Sequence, residues 1–420
     1  MKNTPDTYKI NKDKHIEIGG CDAVNLVKEF GSPLFVLDEA TIRNRCKTYL
    51  NSFRKYYPNT DVIYASKALC TAGVLKLVTS EGLGLDVSSG GELYTALKSG
   101  CDPKKIYFHG NNKPKKELIE ALDARVGRIV VDNIDELNRL DEATQETGKR
   151  AEILVRVNPG IEAHTHEYIK TGTIDSKFGV PFAQLESFIK EVKKKKLVSL
   201  VGLHAHIGSQ ILDPKPFADE VKFLLDLTLK YKTKELNIGG GLAIAYLPQD
   251  ESPELESFAK EIASVLKDKT DVKLVLEPGR SIIGTAGVTL YTIGGIKDIK
   301  GIRKYIFIDG GMSDNPRPIL YQAVYDAKIA NKADQKAAEK VTVAGRFCES
   351  GDILIRDIEL PEVEAGDILA VFCTGAYNYS MASNYNRVGR PAMVLVNGGD
   401  AILILERESY EDLIRNDTVI

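Results

Sequence analysis

Eight short β-branched or apolar runs recur between Phe35 and Ile283, and amphipathic charged segments separate them. The runs are VIYA (Val62 to Ala65), GLDV (Gly84 to Val87), IYFHG (Ile106 to Gly110), RIVVD (Arg128 to Asp132), ILVRVN (Ile153 to Asn158), VGLHAHIG (Val201 to Gly208), ELNIGGG (Glu235 to Gly241) and KLVLEPGR (Lys273 to Arg280). A parallel sheet is covered on both faces by its crossover helices, so its strands read as nearly continuous apolar runs. The spacers agree, since ELIEALDA and FADEVKFLLDLTL repeat apolar residues at helical period. Eight alternating units over about 250 residues match a (β/α)8 TIM-type barrel. The α/β barrel is therefore predicted over residues 36–285.

From about Val288 the pattern changes to short alternating strands punctuated by Gly, Pro and Asp, such as YIFIDGG, VTVAGR, DILIRDIEL, DILAVF, AMVLVNGG and AILILERE. This is all-β patterning. It predicts a second domain, a β-sandwich or β-barrel over 286–420, with residues 1–35 (YKINKDKHIEIGG, then SPLFVLD beginning) pairing onto it. With 420 residues, 43% hydrophobic and 27% charged, core size is not limiting.

A formal charge of −3 leaves no electrostatic footprint for nucleic acid. The longest uncharged run, Ser281 to Ile296, is glycine-interrupted and shorter than the ~18 apolar residues of a membrane span. The N-terminal stretch lacks the apolar core of a secretory signal, so a cytoplasmic location is expected. Six cysteines without a C-x-x-C pair read as reduced thiols rather than a disulfide framework or zinc cluster. Lys193 to Lys196 reads as the solvated end of a helix.

Barrel chemistry sits at the C-terminal ends of the strands. There the sequence places Ser66-Lys67, Asp86-Val87-Ser88-Ser89, His109-Gly110, Asn158-Pro159-Gly160, His204-Ala205-His206-Ile207-Gly208-Ser209, Gly239-Gly240-Gly241 and Glu277-Pro278-Gly279-Arg280. Taken singly each has a bland reading: Lys67 a surface lysine, the glycines a tight turn, His206 a satisfied core histidine, Asp86 a turn cap. Taken together, a partly desolvated lysine amine, a backbone anion cradle and a carboxylate across the mouth fit pyridoxal phosphate. The aldehyde would join Lys67, the phosphate would meet the glycines, and the pyridine nitrogen would meet Glu277. A protonated ring favours chemistry through a stabilised carbanion, such as decarboxylation.

The segments VIYASKAL, GLDVSSGGEL, HAHIGSQ, NIGGGLA, EPGR, CESGD (Cys348 to Asp352) and GAYNYSMASNYN (Gly375 to Asn386) span nearly the whole chain. They resemble the fold-type III, alanine racemase-like pyridoxal-phosphate decarboxylases. Within that family the resemblance is to the branch converting meso-diaminopimelate to L-lysine, the last step of lysine biosynthesis. Arg156 to Gly160, Thr165-His166, Thr171-Gly172 and Lys177 to Gly179 also look like that branch.

The resemblance implies that Lys67 carries the cofactor, that His206 stacks on its ring and that Asp86 lies beside it. Ser209, Gly240 and Tyr377 would hold the phosphate, Gly239, Gly241, Pro278, Gly279 and Arg280 would also line the cofactor, and Glu277 would meet the pyridine nitrogen. It further implies that Cys348 returns a proton after CO2 leaves and that Glu349 meets the substrate's distal amino group. Arg280, Arg317 and Tyr321 would hold the distal carboxylate, with Tyr377 beside the substrate. In the family the Cys348 loop reaches the other subunit's site, so a homodimer with shared sites is expected, and attack at the D-centre also comes from the family.

Relatives acting on ornithine, arginine or carboxynorspermidine share the cofactor residues but lack that cationic set. Racemases of this fold place an arginine where Glu277 stands. A metal-dependent hydrolase remains open because His204/His206 and His164/His166 form H-x-H pairs, as does a catalytically dead binding relative. From the residues alone, Arg317 in NPRPILY reads as a surface arginine in a turn, and His204 has no assignable role.

Overall fold

The computed structural model describes residues 2–159, 176–267, 271–418 and 420. The chain divides into two compact units, Arg45–Ala243 with Ser252–Ser281, and Met1–Asn44 with Ile244–Glu251 and Ile282–Ile420.

All eight predicted runs are strands of the first unit: Thr60–Ala65, Gly84–Val87, Ile106–Phe108, Arg128–Val131, Ala151–Asn158, Val198–His204, Glu235–Asn237 and Lys273–Leu276. Each pairs in parallel with the next, and Lys273–Leu276 returns to Thr60–Ala65, which closes the barrel. Inward-facing Ile63, Tyr107, Val130, Leu154 and Val275 fill the interior. The barrel is thus a packed core that leaves chemistry to its ends. A short ninth strand, Val180–Pro181, adds to the C-terminal end of Ala151–Asn158.

The crossover helices form where an N-cap precedes an amphipathic run. In Ile134–Thr147 the Asn133 side chain accepts the Glu136 N–H at 2.9 Å, and acidic Asp135 and Glu136 sit in the first turn. Both features favour a helix N-terminus, which carries unpaired N–H groups and partial positive charge. Leu137, Leu140 and Ala143 bury one face, and Gly148 ends the helix in the left-handed region at φ 67°.

The second unit holds a nine-stranded mixed sheet. Its spine is the 13-residue strand Gly287–Ile299, which pairs antiparallel with Leu34–Asp38, Arg303–Ile308 and Ile368–Phe372. SPLFVLD therefore joins the β unit, whereas YKINKDKHIEIGG does not pair with that sheet. It forms a separate three-stranded sheet of Lys9–Ile10, Ile16–Ile18 and Cys21–Asp22. Its Ile16 and Ile18 are buried with Leu34, Val394 and Val396, so packing rather than strand pairing attaches it. The strand Ala327–Ile329 has no counterpart in the reading from sequence, because three residues are too few to display an alternation.

Candidate active site

Glu277 follows the last barrel strand and is buried. His109 Nε2 lies 2.7 Å from its Oε1, Asn237 Nδ2 2.6 Å from the same oxygen, and His204 Nε2 3.3 Å from Oε2. An ionised carboxylate only accepts hydrogen bonds, so all three nitrogens donate. Burial alone would raise the carboxyl's pKa, but His109 and His204 outweigh it and hold Glu277 well below the ordinary range.

The two histidines titrate in opposite directions. Burial disfavours the charge of His109, yet Asp86, 3.8 Å away, and Glu277 prevail and raise its pKa. For His204 burial wins over Glu277, pushing it down to about 4. The rings pack edge to face with centroids 4.9 Å apart. One imidazole shifted towards its charged form and one held neutral thus flank one carboxylate.

Asn237 ties this carboxylate to the glycine turn, since its Oδ1 accepts the Gly239 N–H at 2.9 Å while Glu277 N–H donates to Gly239 O at 2.8 Å. The turn admits no side chain: a Cβ on Gly240 would fall 2.2 Å from Glu277 O, and one on Gly241 2.3 Å from Gly208 O. Gly239 and Gly241 also adopt φ of +63° and +126°. A Cβ on Gly239 would meet His206 Nδ1 at 2.7 Å, which places the His206 ring against the turn. Burial, then the charges of Lys67 and Arg156, hold His206 well below its ordinary pKa, so this imidazole is neutral. Beside the turn Arg280 Nη2 donates to Ser209 Oγ at 3.3 Å.

Lys67 stands on the single 3-10 turn Ser66–Ala68, directly after the first barrel strand, with its side chain exposed. Asp86 is buried; desolvation raises its pKa against the opposing charges of His109 and Lys67. Lys67, Asp86, His206, Ser209, Gly239 to Gly241 and the Glu277-Pro278-Gly279-Arg280 turn therefore all belong to the barrel unit, at the C-terminal ends of its strands. Lys67 is exposed, not partly desolvated as its place after an apolar strand suggested, because it stands on the turn beyond the strand end. Its accessible amine, a side-chain-free glycine turn beside a guanidinium, a neutral ring and an ionised carboxylate are the donor set that pyridoxal phosphate needs. The residues fit the group.

Cys348, Glu349, Arg317, Tyr321 and Tyr377 lie in the β unit. Arg317 is buried rather than a surface residue: Nη1 donates to Tyr246 Oη at 2.9 Å and to Tyr325 Oη at 2.6 Å, and the guanidinium lies 6.0 Å from the Tyr321 ring centroid. Cys348 is exposed, and its N–H donates to Asn386 Oδ1 at 3.1 Å. Glu349 Oε1 accepts the Gly351 N–H at 3.4 Å. Tyr377 takes a left-handed φ of 62°.

Sequence reasoning gave His109 and Asn237 no role, and left His204 unassigned. Position was the available signal for all three, because each ends or directly follows a barrel strand. The H-x-H pairing does not form as read: His204 turns to Glu277 and His206 to Gly239, and His164 and His166 lie outside the described residues. The group among described residues able to hold a metal is His109, His204 and Glu277, with ligand atoms within 4.8 Å of one another.

Residues 39–284 match the model of the pyridoxal-dependent decarboxylases, pyridoxal binding domain. The diaminopimelate decarboxylase of Synechocystis sp. is 51% identical, the alignment covering 98% of this chain and 92% of that protein. That of Bacillus subtilis is 46% identical over 98% of this chain and 97% of its own. The crystal structure of the M. jannaschii diaminopimelate decarboxylase in complex with L-lysine superposes with a TM-score of 0.93 at 39% identity, covering 100% of this chain and 99% of that one. With a family model matched over residues 39–284 and relatives 39–51% identical over nearly the whole of both chains, the chain belongs to the diaminopimelate decarboxylase family.

Proposed function

We propose that this protein removes the carboxylate at the D-centre of meso-diaminopimelate, giving L-lysine and CO2 with pyridoxal 5'-phosphate as cofactor. The observation that carries the reading is the ionised, triply hydrogen-bonded Glu277, joined through Asn237 to the glycine turn. Its support is the likeness over nearly full length to diaminopimelate decarboxylases, one of them crystallised with L-lysine.

When bound, the cofactor supplies an electron sink for the pair left behind as CO2 departs. Lys67 would supply the amine that holds the cofactor's aldehyde and that releases product. Glu277 holds the proton on the ring nitrogen, because a charge-assisted hydrogen bond to a carboxylate favours the cationic form. His206, kept neutral, would meet the ring without adding a positive charge that would compete with it. Gly239 to Gly241, Ser209 and Arg280 receive the phosphate dianion through backbone N–H groups and a guanidinium.

In the same reading Cys348 delivers a proton to the carbon that CO2 leaves, and Glu349 takes the distal ammonium. Arg317 spends Nη1 on two tyrosine hydroxyls, which leaves Nε and Nη2 to clasp the distal carboxylate with Tyr321 beside it. Two protomers share the sites, each supplying Cys348 and Glu349 to its partner's Lys67. Mixing Lys67→Ala with Cys348→Ala protein should restore part of the activity, and none returning after verified subunit exchange would contradict sharing. A cytoplasmic setting belongs to the same reading; no helix among the described residues is long and apolar enough to cross a membrane.

A substrate panel tests the specificity. Turnover of meso-diaminopimelate with none of L-ornithine, L-arginine or carboxynorspermidine is expected. Preference for one of the latter would overturn the assignment while leaving the cofactor reading in place.

A further inference from the structure

The opposite, N-terminal end of the barrel carries a charged cavity of about 110 Å3. It spans the starts of five neighbouring strands, from Lys273–Leu276 through Thr60–Ala65, Gly84–Val87 and Ile106–Phe108 to Arg128–Val131. A single water needs roughly 10–15 Å3 measured this way, so the space holds more than one water-sized group. Its charged lining is Arg54, Lys104, Lys105, Arg128 and Lys273, with Asp61 the one acid.

The acids at hand do not balance these cations. Arg54 and Lys273 share Asp61, at 3.8 and 3.1 Å. Arg128 takes Glu235 at 3.0 Å and Glu152 at 2.6 Å. Five cations against three carboxylates leave an excess of two positive charges. Lys104 and Lys105 account for it: their ammonium groups form no ion pair among the described residues, and neighbouring Asp102 meets only the Lys104 backbone N–H.

Their backbone is fixed even though their side chains are exposed. Asp102 Oδ1 accepts the Lys104 N–H at 3.0 Å, and Gly127 N–H donates to Pro103 O at 2.8 Å. Cβ atoms on Gly127 and Gly84 would fall 2.0 Å from Lys104 O and 2.4 Å from Lys105 O, so the segment is pressed against the barrel floor. Like charges gathered on a rigid rim repel one another, and an anion seated among them relieves that repulsion. Preorganisation of this kind lowers the ordering cost of binding.

We propose that this cavity is a binding site for a small tetrahedral dianion of the inorganic phosphate class, separate from the cofactor's own phosphate cradle. The cavity's size suits the free ion, and its excess charge of two matches a dianion.

The test is calorimetric titration of the cofactor-loaded holoenzyme with inorganic phosphate, sodium chloride holding ionic strength constant. Saturable one-to-one binding is expected, at least tenfold weaker in the Lys104→Ala/Lys105→Ala double variant, with turnover of meso-diaminopimelate unchanged in the absence of phosphate. Lys193→Ala/Lys194→Ala, which removes the same charge from another exposed surface, should keep wild-type affinity. No saturable binding, equal affinity in the first variant, or an equal loss in the second would overturn the proposal. None of these results touches the assignment of the decarboxylase site.

Discussion

His109 and Glu277 form a buried ion pair, Nε2 to Oε1 2.7 Å, in which each partner holds the other charged. The pair comes from the third and eighth barrel strands, so it forms only when the barrel closes. Without His109, Glu277 would still be buried but would lose the positive charge that most favours its ionised form. A hydrogen bond to a charged group contributes about 1.5–3 kcal/mol, which corresponds to roughly 10–100-fold in rate if it is felt in the transition state. His109→Leu is predicted to lower kcat by about that factor while cofactor is retained, as steady-state kinetics and the visible spectrum of the bound cofactor would report. An unchanged kcat would remove His109 from the account of Glu277.

The glycine turn gives a steric prediction. Gly240→Ala puts a methyl 2.2 Å from Glu277 O, inside any real contact, and backbone rather than a flexible side-chain end must give way. The displaced turn should weaken cofactor affinity by about tenfold or more, since ~1.4 kcal/mol suffices for that. Equilibrium dialysis of pyridoxal phosphate against the variant measures it, and wild-type affinity would show that the turn does not hold the phosphate.

Stability should depend on pH through His204. Folded, it takes up its proton near pH 4; unfolded, near 6.5. Between these values the unfolded chain binds more protons, so stability falls as pH drops from about 6.5 towards 4. His206, also held below its ordinary pKa by burial, adds a term of the same sign. For His204 alone the full window is worth roughly 3 kcal/mol. Denaturant unfolding at pH 7 and pH 5 should show a smaller acid loss for His204→Asn than for wild type, and parallel losses would contradict the assignment.

Substrate recognition gives a further prediction. Arg317→Ala should lower kcat/KM for meso-diaminopimelate by about 100-fold, the scale of one or two charge-assisted hydrogen bonds. The cofactor spectrum should stay unchanged. An unaltered kcat/KM would place the distal carboxylate elsewhere.

Much of the fold was readable because the barrel repeats one signal eight times: an apolar run, a polar turn, an amphipathic helix. All eight strands lie where those runs predicted. The N-terminal hairpins were harder, because YKINKDKHIEIGG shows strand alternation but nothing that specifies its partner. The site divides the same way. Lys67, Glu277 and the glycines carry distinctive chemistry at strand ends, so their types and positions pointed to a cofactor. The roles of His109, Asn237 and His204 depend on distances across the barrel between strands far apart in sequence, which no local pattern encodes. Arg317 was misjudged from its own segment for a related reason, since Tyr246 and Tyr325, which enclose it, come from the Ile244–Glu251 segment and from just before the strand Ala327–Ile329.

In the proposed function Glu277, Lys67 and the glycine turn serve decarboxylation of meso-diaminopimelate at one centre. Its most direct test is chiral amino-acid analysis after the pyridoxal-phosphate-loaded protein has been incubated with that substrate. L-lysine alone, formed in step with CO2, is the predicted result. Recovery of intact substrate from holoenzyme, or formation of D-lysine instead, would contradict it.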